Sequence, residues 1–325
     1  MDVITFGEAM VRLTPPDHRR LEQAYSLNVE IGGAELNTAV GLARLGRQAA
    51  WVSRVTDNPL GRLIANRARE TGVYDRVIFT DADRVGVYYL EVGGAPRPSS
   101  ITYDRADSAM ARIVPGMIDW PAVFEGANWF YVTGITAALS DSAAHATLEA
   151  LASAKAAGLT TCLDPNYRSK LWTVDQARAW LQEAIQYVDV LATSPDDLHR
   201  FFGIDPTDVE KAALAMASQF NLVAVALTLR QATSNWRNTV SAVGCAGGRS
   251  VQAKTYDVEV VDRLGAGDAF VAGLLHGLLD GDLDKGLAYG TAMYALKHTI
   301  PGDFPWLTAA EVETLMAGGG TRISR

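Results

Sequence analysis

Short, continuously apolar runs alternate with longer stretches of helical period along most of this chain. Val3 to Phe6, Ala49 to Val52, Trp129 to Val132, Leu159 to Leu163, Val188 to Ala192 and Leu222 to Leu227 have the length and composition of strands. They are apolar at successive rather than alternate positions, as strands buried on both faces should be. Helical patterns lie between and after them, at Ala34 to Leu45, Ser142 to Ala157, Asp175 to Gln186, Thr207 to Gln219, Ala266 to Leu279, Leu283 to Lys297 and Ala309 to Met316. Gly46 and Gly158 directly follow two of them, where a left-handed C-cap is expected. Strands alternating with helices of this length predict an α/β fold, a parallel sheet covered by helices on both sides.

Two segments break the pattern. Residues of about 11 to 31 contain Thr14-Pro15-Pro16-Asp17 and then no helical period. Residues of about 84 to 113 show period-2 character through Val85, Val87 and Tyr89, a Gly93-Gly94 turn, and then Ile101 and Tyr103, which predicts a hairpin. Both are expected outside the helix-covered sheet, as a β lid. The predicted organisation is therefore an α/β domain over 1–10, 32–83 and 114–325, with the lid over 11–31 and 84–113. The tail from Gly318 to Arg325 is expected to fray.

Composition then narrows the function classes. The formal net charge is -8 and no stretch concentrates Lys and Arg, which argues against nucleic acid as a partner. One small anion is still allowed, because a local pocket can oppose the overall sign. Cys162 and Cys245 lie in apolar segments without zinc or redox spacing and are expected to be buried thiols. The first residues lack the basic and apolar regions of a signal peptide, and no apolar run approaches the ~18 residues of a membrane span. These readings predict a cytoplasmic protein without a membrane partner. The five histidines are scattered, so neither a protein-built metal centre nor a Ser-His-Asp hydrolase is expected.

The chemistry concentrates in one stretch. Val258-Glu259-Val260-Val261 reads as a strand, Asp262-Arg263-Leu264-Gly265-Ala266-Gly267 as a glycine-rich turn, and Asp268-Ala269-Phe270 onward as an apolar helix. Backbone amides at such a helix start, with the positive end of the helix dipole, make an anion site. A carboxylate immediately after that nest repels phosphate, yet it suits a group that removes a proton beside a transferring phosphoryl. Asp268 could equally favour helix initiation, worth ~0.3–1 kcal/mol, and spacing alone does not separate the two readings. No G-x-x-x-x-G-K-[ST] occurs, which excludes a P-loop, and Gly265-Ala266-Gly267 lacks the third glycine of a dinucleotide fingerprint.

Asp262 with Gly265-Ala266-Gly267-Asp268-Ala269-Phe270 resembles the C-terminal signature of the ribokinase/PfkB sugar kinases. Gly32-Gly33-Ala34-Glu35-Leu36-Asn37-Thr38-Ala39 through Leu45-Gly46 resembles the N-terminal one, and Gly7-Glu8 and Gly61 fit as well. The resemblance spans essentially the whole chain. It implies a ribokinase-like three-layer αβα fold with a mostly parallel sheet and a small β-sheet lid, and pairing of subunits into a homo-oligomer through that lid. It further implies ATP and Mg²⁺ as cofactors, Asp268 as catalytic base, and an anion hole at Gly265, Ala266 and Gly267. Within the family, the positions facing the sugar resemble those of the 2-keto-3-deoxygluconate kinases. They are Gly33, Tyr88, Tyr103, Arg105, Arg168 in Asp164-Pro165-Asn166-Tyr167-Arg168, and Asp303. Two arginines suit a sugar acid, since a guanidinium meets a carboxylate as a planar fork.

Three departures accompany the match. The family's N-x-x-E stands here as Ser194-Pro195-Asp196-Asp197, leaving Asp197 for the glutamate's part in metal and phosphate handling. The nucleotide turn reads Thr228-Leu229-Arg230, with Arg230 replacing a small residue, and Arg263 stands where Thr is common. The expected activity is ATP-dependent phosphorylation of a sugar acid, 2-keto-3-deoxygluconate to its 6-phosphate. A fructokinase or other neutral-sugar kinase, and a non-catalytic sugar or nucleotide sensor, are the alternatives to it.

Overall fold

In the computed structural model, which describes residues 1–234 and 236–319, the apolar runs pair side by side. In chain order the elements are β1 (Val3–Phe6), β2 (Met10–Thr14), β3 (Asn28–Gly32), α1 (Ala34–Arg44), β4 (Ala49–Thr56), α2 (Pro59–Glu70), β5 (Tyr74–Thr80), β6 (Val87–Glu91) and β7 (Ser100–Asp104). There follow α3 (Trp120–Phe124), β8 (Trp129–Thr133), α4 (Gly134–Ala137), α5 (Asp141–Ala156), β9 (Thr160–Asp164), α6 (Val174–Ala184), β10 (Val190–Thr193), α7 (Pro195–Phe202) and α8 (Val209–Phe220). The last part holds β11 (Ala224–Ser234), β12 (Arg237–Ala246), β13 (Arg249–Gln252), β14 (Tyr256–Glu259), α9 (Ala266–Leu278), α10 (Leu283–Lys297) and α11 (Ala309–Met316). The expected fraying from Gly318 concerns a tail that, from residue 320 onward, lies outside the described residues.

The large sheet runs β13-β12-β11-β10-β9-β8-β1-β4-β5, with β14 also paired to β12. Strands from β5 across to β11 are parallel, and β12, β13 and β14 close one end antiparallel. Successive residues of each central strand point to opposite faces, and both faces are covered. Val3, Trp51, Tyr131 and Cys162 pack on one side; Ile4, Val52, Phe130 and Leu163 pack on the other. This double burial is the physical content of the continuous apolar runs.

The sequence pattern did not reveal α2. Its apolar stripe is thin, with Ile64, Ala65 and Ala68 buried beside Gly61, and its start is set by polar chemistry instead. The Asn58 side chain accepts from Leu60 N and Gly61 N, and Pro59 occupies the first turn. Helix α7 was missed for the same reason: it is two turns long, capped by Ser194 and opened by Pro195.

A second sheet, β3-β2-β6-β7, stands apart from the first and forms the lid. Its register sets Arg12 beside Tyr88 and Tyr88 beside Tyr103, a row across one face. Helix α9 is locked to α10 at close range. A Cβ on Gly273 would come within 2.5 Å of Gly290 N, and one on Gly277 within 2.0 Å of Gly286 N. The helix that begins beside Asp268 therefore has little freedom to shift. No helix among the described residues is long and apolar enough to cross a membrane.

Candidate active site

Strand order reverses at β1, and it is outside the carboxyl ends of the parallel strands, at such a reversal, that an open α/β sheet leaves a crevice. Glu8 follows β1 there, Asp164 ends β9, and Thr193 ends β10. Three adjoining cavities occupy this crevice. The first, about 570 Å³ including its open mouth, lies between the lid and the start of α9. Gly33, Tyr88, Tyr103, Arg105, Arg168, Gly265, Asp268 and Asp303 all line it. The second is walled by Asp164, Arg168, Thr193, Asp197, Thr228 and Gly267. The third, larger and more open, is bordered by Ser194, Thr228, Arg230, Gln252 and Tyr294. Arg168 is shared by the first two, and Ser194 and Thr228 by the last two, so the cavities form one path.

Asp268 sits in the first turn of α9 and is 8% exposed. Burial pushes its carboxyl up to about 6, opposed by the hydrogen bond from Asn37 and the positive charge of Arg168. The Asn37 amide nitrogen donates to Asp268 Oδ2 at 2.7 Å, while Asn37 Oδ1 accepts from Gly33 N at 3.3 Å. The second contact fixes which way the amide faces. Gly265, at φ +79°, is the cap of α9, and a Cβ there would lie 1.9 Å from Asp303 O. The first intrahelical bond runs from Ala269 N to Gly265 O, so the amides of Gly267 and Asp268 precede it and are available to an anion. Ala266 is buried, and its amide turns back to Arg263 O at 3.3 Å.

A Cβ placed on Gly267 would meet nothing within 4 Å. Nothing in the fold demands glycine at that position. Gly267→Ala should therefore melt no lower than wild type, since alanine favours a helix by ~0.5–1 kcal/mol over glycine. Its KM for ATP should rise several-fold in steady-state assays, and an unchanged KM would remove position 267 from the phosphate path.

The arginines divide by partner. Arg105 is buried and paired with Glu8, which also accepts from Ser108 Oγ, so its charge is already met. Arg168 is exposed, and its described partners are the carbonyls of Asn166 and Tyr167 at 3.4 and 3.0 Å. It forms no ion pair among the described residues. Of the two expected carboxylate ligands, Arg168 is the one with charge to spare. Tyr103 lies between two cations, Arg105 and Lys170, at 5.7 and 5.6 Å from its ring centre. Lys170 also donates to Ile101 O at 2.8 Å, tying the loop after β9 to the lid.

Asp303 is held on both oxygens, by Arg12 Nη1 at 2.7 Å and by Tyr88 OH at 2.6 Å. Arg12 also reaches Asp262 Oδ2 at 2.6 Å. Burial opposes the Arg12 charge, but Asp303 and Asp262 outweigh it and hold the guanidinium well above its ordinary range. Sequence reasoning passed over Arg12, although a lone arginine between Val11 and Leu13 in a strand was a signal. A Cβ on Gly33 would collide with Glu8 O at 2.1 Å, so that glycine is needed by main-chain packing as well as by the cavity it lines.

In the second cavity, burial pushes Asp164 up to about 8, and it raises Asp197 as well. Asp197 pairs with Arg200 at 2.9 Å, and Thr228 Oγ1 donates to Thr193 O at 3.3 Å. Among the described residues no group of three or more His, Cys, Asp or Glu is suited to hold a metal by itself.

Residues 1–302 match the pfkB family carbohydrate kinase model. The chain is 40% identical to the 2-dehydro-3-deoxygalactonokinase of Haloferax volcanii over 325 residues, covering 100% of this chain and 99% of that one. It is 30% identical to the 2-dehydro-3-deoxygluconokinase of Bacillus subtilis over 322 residues, with 96% and 94% covered. Its fold superposes on the crystal structure of the 2-dehydro-3-deoxygluconokinase of Thermotoga maritima with a TM-score of 0.94 at 37% identity, over 98% of this chain and 100% of that one.

Proposed function

Since the chain belongs to the pfkB family of carbohydrate kinases, we propose that it transfers the γ-phosphoryl of ATP to the terminal hydroxyl of a 2-keto-3-deoxy sugar acid, converting 2-keto-3-deoxygluconate to its 6-phosphate. The observation that carries this reading is one cavity lined by both a buried carboxylate at a helix start, Asp268, and an arginine with no ion pair among the described residues, Arg168. The 40% identity to a galactonokinase supports a second reading, in which the acid is the C4 epimer.

The substrate lies in the first cavity with its carboxylate toward Arg168 and its terminal hydroxyl toward Asp268. Asn37 occupies Asp268 Oδ2, which leaves Oδ1 to take the hydroxyl proton as the oxygen attacks. Proton removal of this kind contributes ~10²–10⁴-fold. The amides of Gly265, Gly267 and Asp268 stabilise charge on the moving phosphoryl, in a reaction that depends mainly on position and electrostatics. ATP fills the third cavity, with Thr228 and Arg230 beside it and its phosphates directed into the second.

The residues present fit Mg²⁺ delivered with the nucleotide and held mainly by its phosphates. Asp164 and Asp197, both raised by burial in the second cavity, are the carboxylates that would face it. When bound, the ion neutralises phosphate charge.

A coupled ADP-release assay over 2-keto-3-deoxygluconate, its C4 epimer, fructose and ribose tests the assignment. The keto-deoxy acids should exceed fructose in kcat/KM by at least about tenfold, the discrimination expected from one charged contact. Fructose as the equal or better substrate would overturn the acid assignment in favour of a neutral-sugar kinase.

A further inference from the structure

Lys297 is the last residue of α10, and its side chain is fully buried, at 0% exposure. Lysine is almost never enclosed unless something opposite compensates its charge. Here the acceptor described for the ammonium is the carbonyl of Ile300, at 3.0 Å. Around it lie Asp262, Asp303 and, more weakly, Asp268, which favour its charge, and Arg12, which opposes it; burial is the larger effect and lowers its affinity for the proton. Arg12 pairs directly with both Asp262 and Asp303 from the lid side, while Lys297 lies near them on the helix side and forms no ion pair among the described residues.

The surrounding connections all lead to the start of α9. Val261 N and Asp262 N donate to His298 O at 2.8 and 3.0 Å, next to Lys297 in sequence. Gly302 N donates to Asp262 Oδ2 at 3.1 Å, and Leu264 N donates to Asp262 Oδ1 at 3.1 Å. Asp303 O lies against the Cα of Gly265, where a Cβ would be 1.9 Å away. The 300–303 turn is therefore the floor on which the Gly265 turn rests, and Lys297 holds that floor by its carbonyl.

We propose that Lys297 is a positioning residue for phosphoryl transfer, a built-in cation that balances Asp262 and Asp303 and fixes the 300–303 turn beneath the Gly265–Asp268 anion site. The inference rests on the kinase reading above, in which that site receives the phosphoryl. It carries a direct corollary: because the cation is covalently part of the chain, wild-type turnover needs no monovalent ion from solution.

The test has two arms, both following ADP release by the full-length protein with ATP, Mg²⁺ and the best sugar acid. Wild type is assayed in tetramethylammonium buffer and again with about 0.1 M KCl or NH₄Cl, and its kcat should agree within about twofold. Strong activation by potassium or ammonium would overturn the built-in cation, whatever the variants do. In the second arm, Lys297→Ala should lose about tenfold or more in kcat, with a smaller change in KM for the sugar. Ammonium or methylammonium should restore part of that loss by filling the hole left behind. Lys297→Met, which keeps the apolar stem and fills the hole, should lose kcat without rescue. Equal kcat in Lys297→Met and wild type would reduce the lysine to packing and sink the proposal. Wild-type turnover that fails altogether would instead strike at the kinase reading, so the two failures are distinguishable.

Discussion

Asp268→Asn lowers kcat by about 10²–10⁴-fold while the protein remains folded, the span expected when a positioned general base is removed. Asparagine keeps the size of the side chain and can still meet Asn37, so the loss reports proton transfer rather than packing. Its stability should not fall. Burial raises the Asp268 carboxyl from 3.8 to about 6, so the folded state holds a proton that the unfolded state has released between those values. Stability then declines as pH rises through about 4 to 6, and the ionised carboxylate destabilises the fold at neutral pH. An amide carries no such penalty, and the melting temperature of Asp268→Asn at pH 7 should equal or exceed that of wild type. Activity has the opposite dependence. The base must be ionised, so kcat/KM of the wild type is sustained above about pH 6 and falls roughly tenfold per unit below it. A variant that transfers phosphate at near wild-type rate would remove Asp268 from the chemistry.

Arg168→Ala comes second. A hydrogen-bonded contact to a charged group is worth about 1.5–3 kcal/mol, so kcat/KM for the sugar acid should drop by about 10–150-fold. A neutral sugar has no carboxylate to lose and should change by no more than about twofold. The comparison is best made near pH 8, because Arg168 also lowers the Asp268 carboxyl. Removing it shifts the base upward, and at lower pH that shift would slow both substrates alike. Equal losses on acid and neutral sugars at pH 8 would exclude the carboxylate role. Arg105→Ala differs in kind, since it would strand the buried Glu8 that now pairs with it.

What could be read in advance follows how local the signal is. Strands such as Val3–Phe6 and Trp129–Thr133 announced themselves because both faces are buried, and the Gly265–Asp268 turn because its chemistry is contiguous in sequence. Helix α2 was silent, as Asn58 and Pro59 start it and little of it is buried. The site residues missed are those whose meaning depends on distant partners. Arg12 pairs with residues 250 and 291 positions away, and Asn37 with one 231 positions away. Asn37 stood in plain view inside the N-terminal motif, yet its amide acquires a task only once α1 and α9 are packed together. Arg105 was expected to meet the substrate, and it does line the first cavity; that Glu8 already pairs with it was not legible.

The reach of Arg12 from β2 to Asp303 and Asp262 makes the start of β2 intolerant of length change. Side chains on a strand switch faces with every residue, so inserting or deleting one within β2 between Met10 and Arg12 would turn the guanidinium to the opposite surface. Two enclosed acids would then lose the guanidinium that bonds them both. Length changes, natural or engineered, should accordingly spare this inner strand.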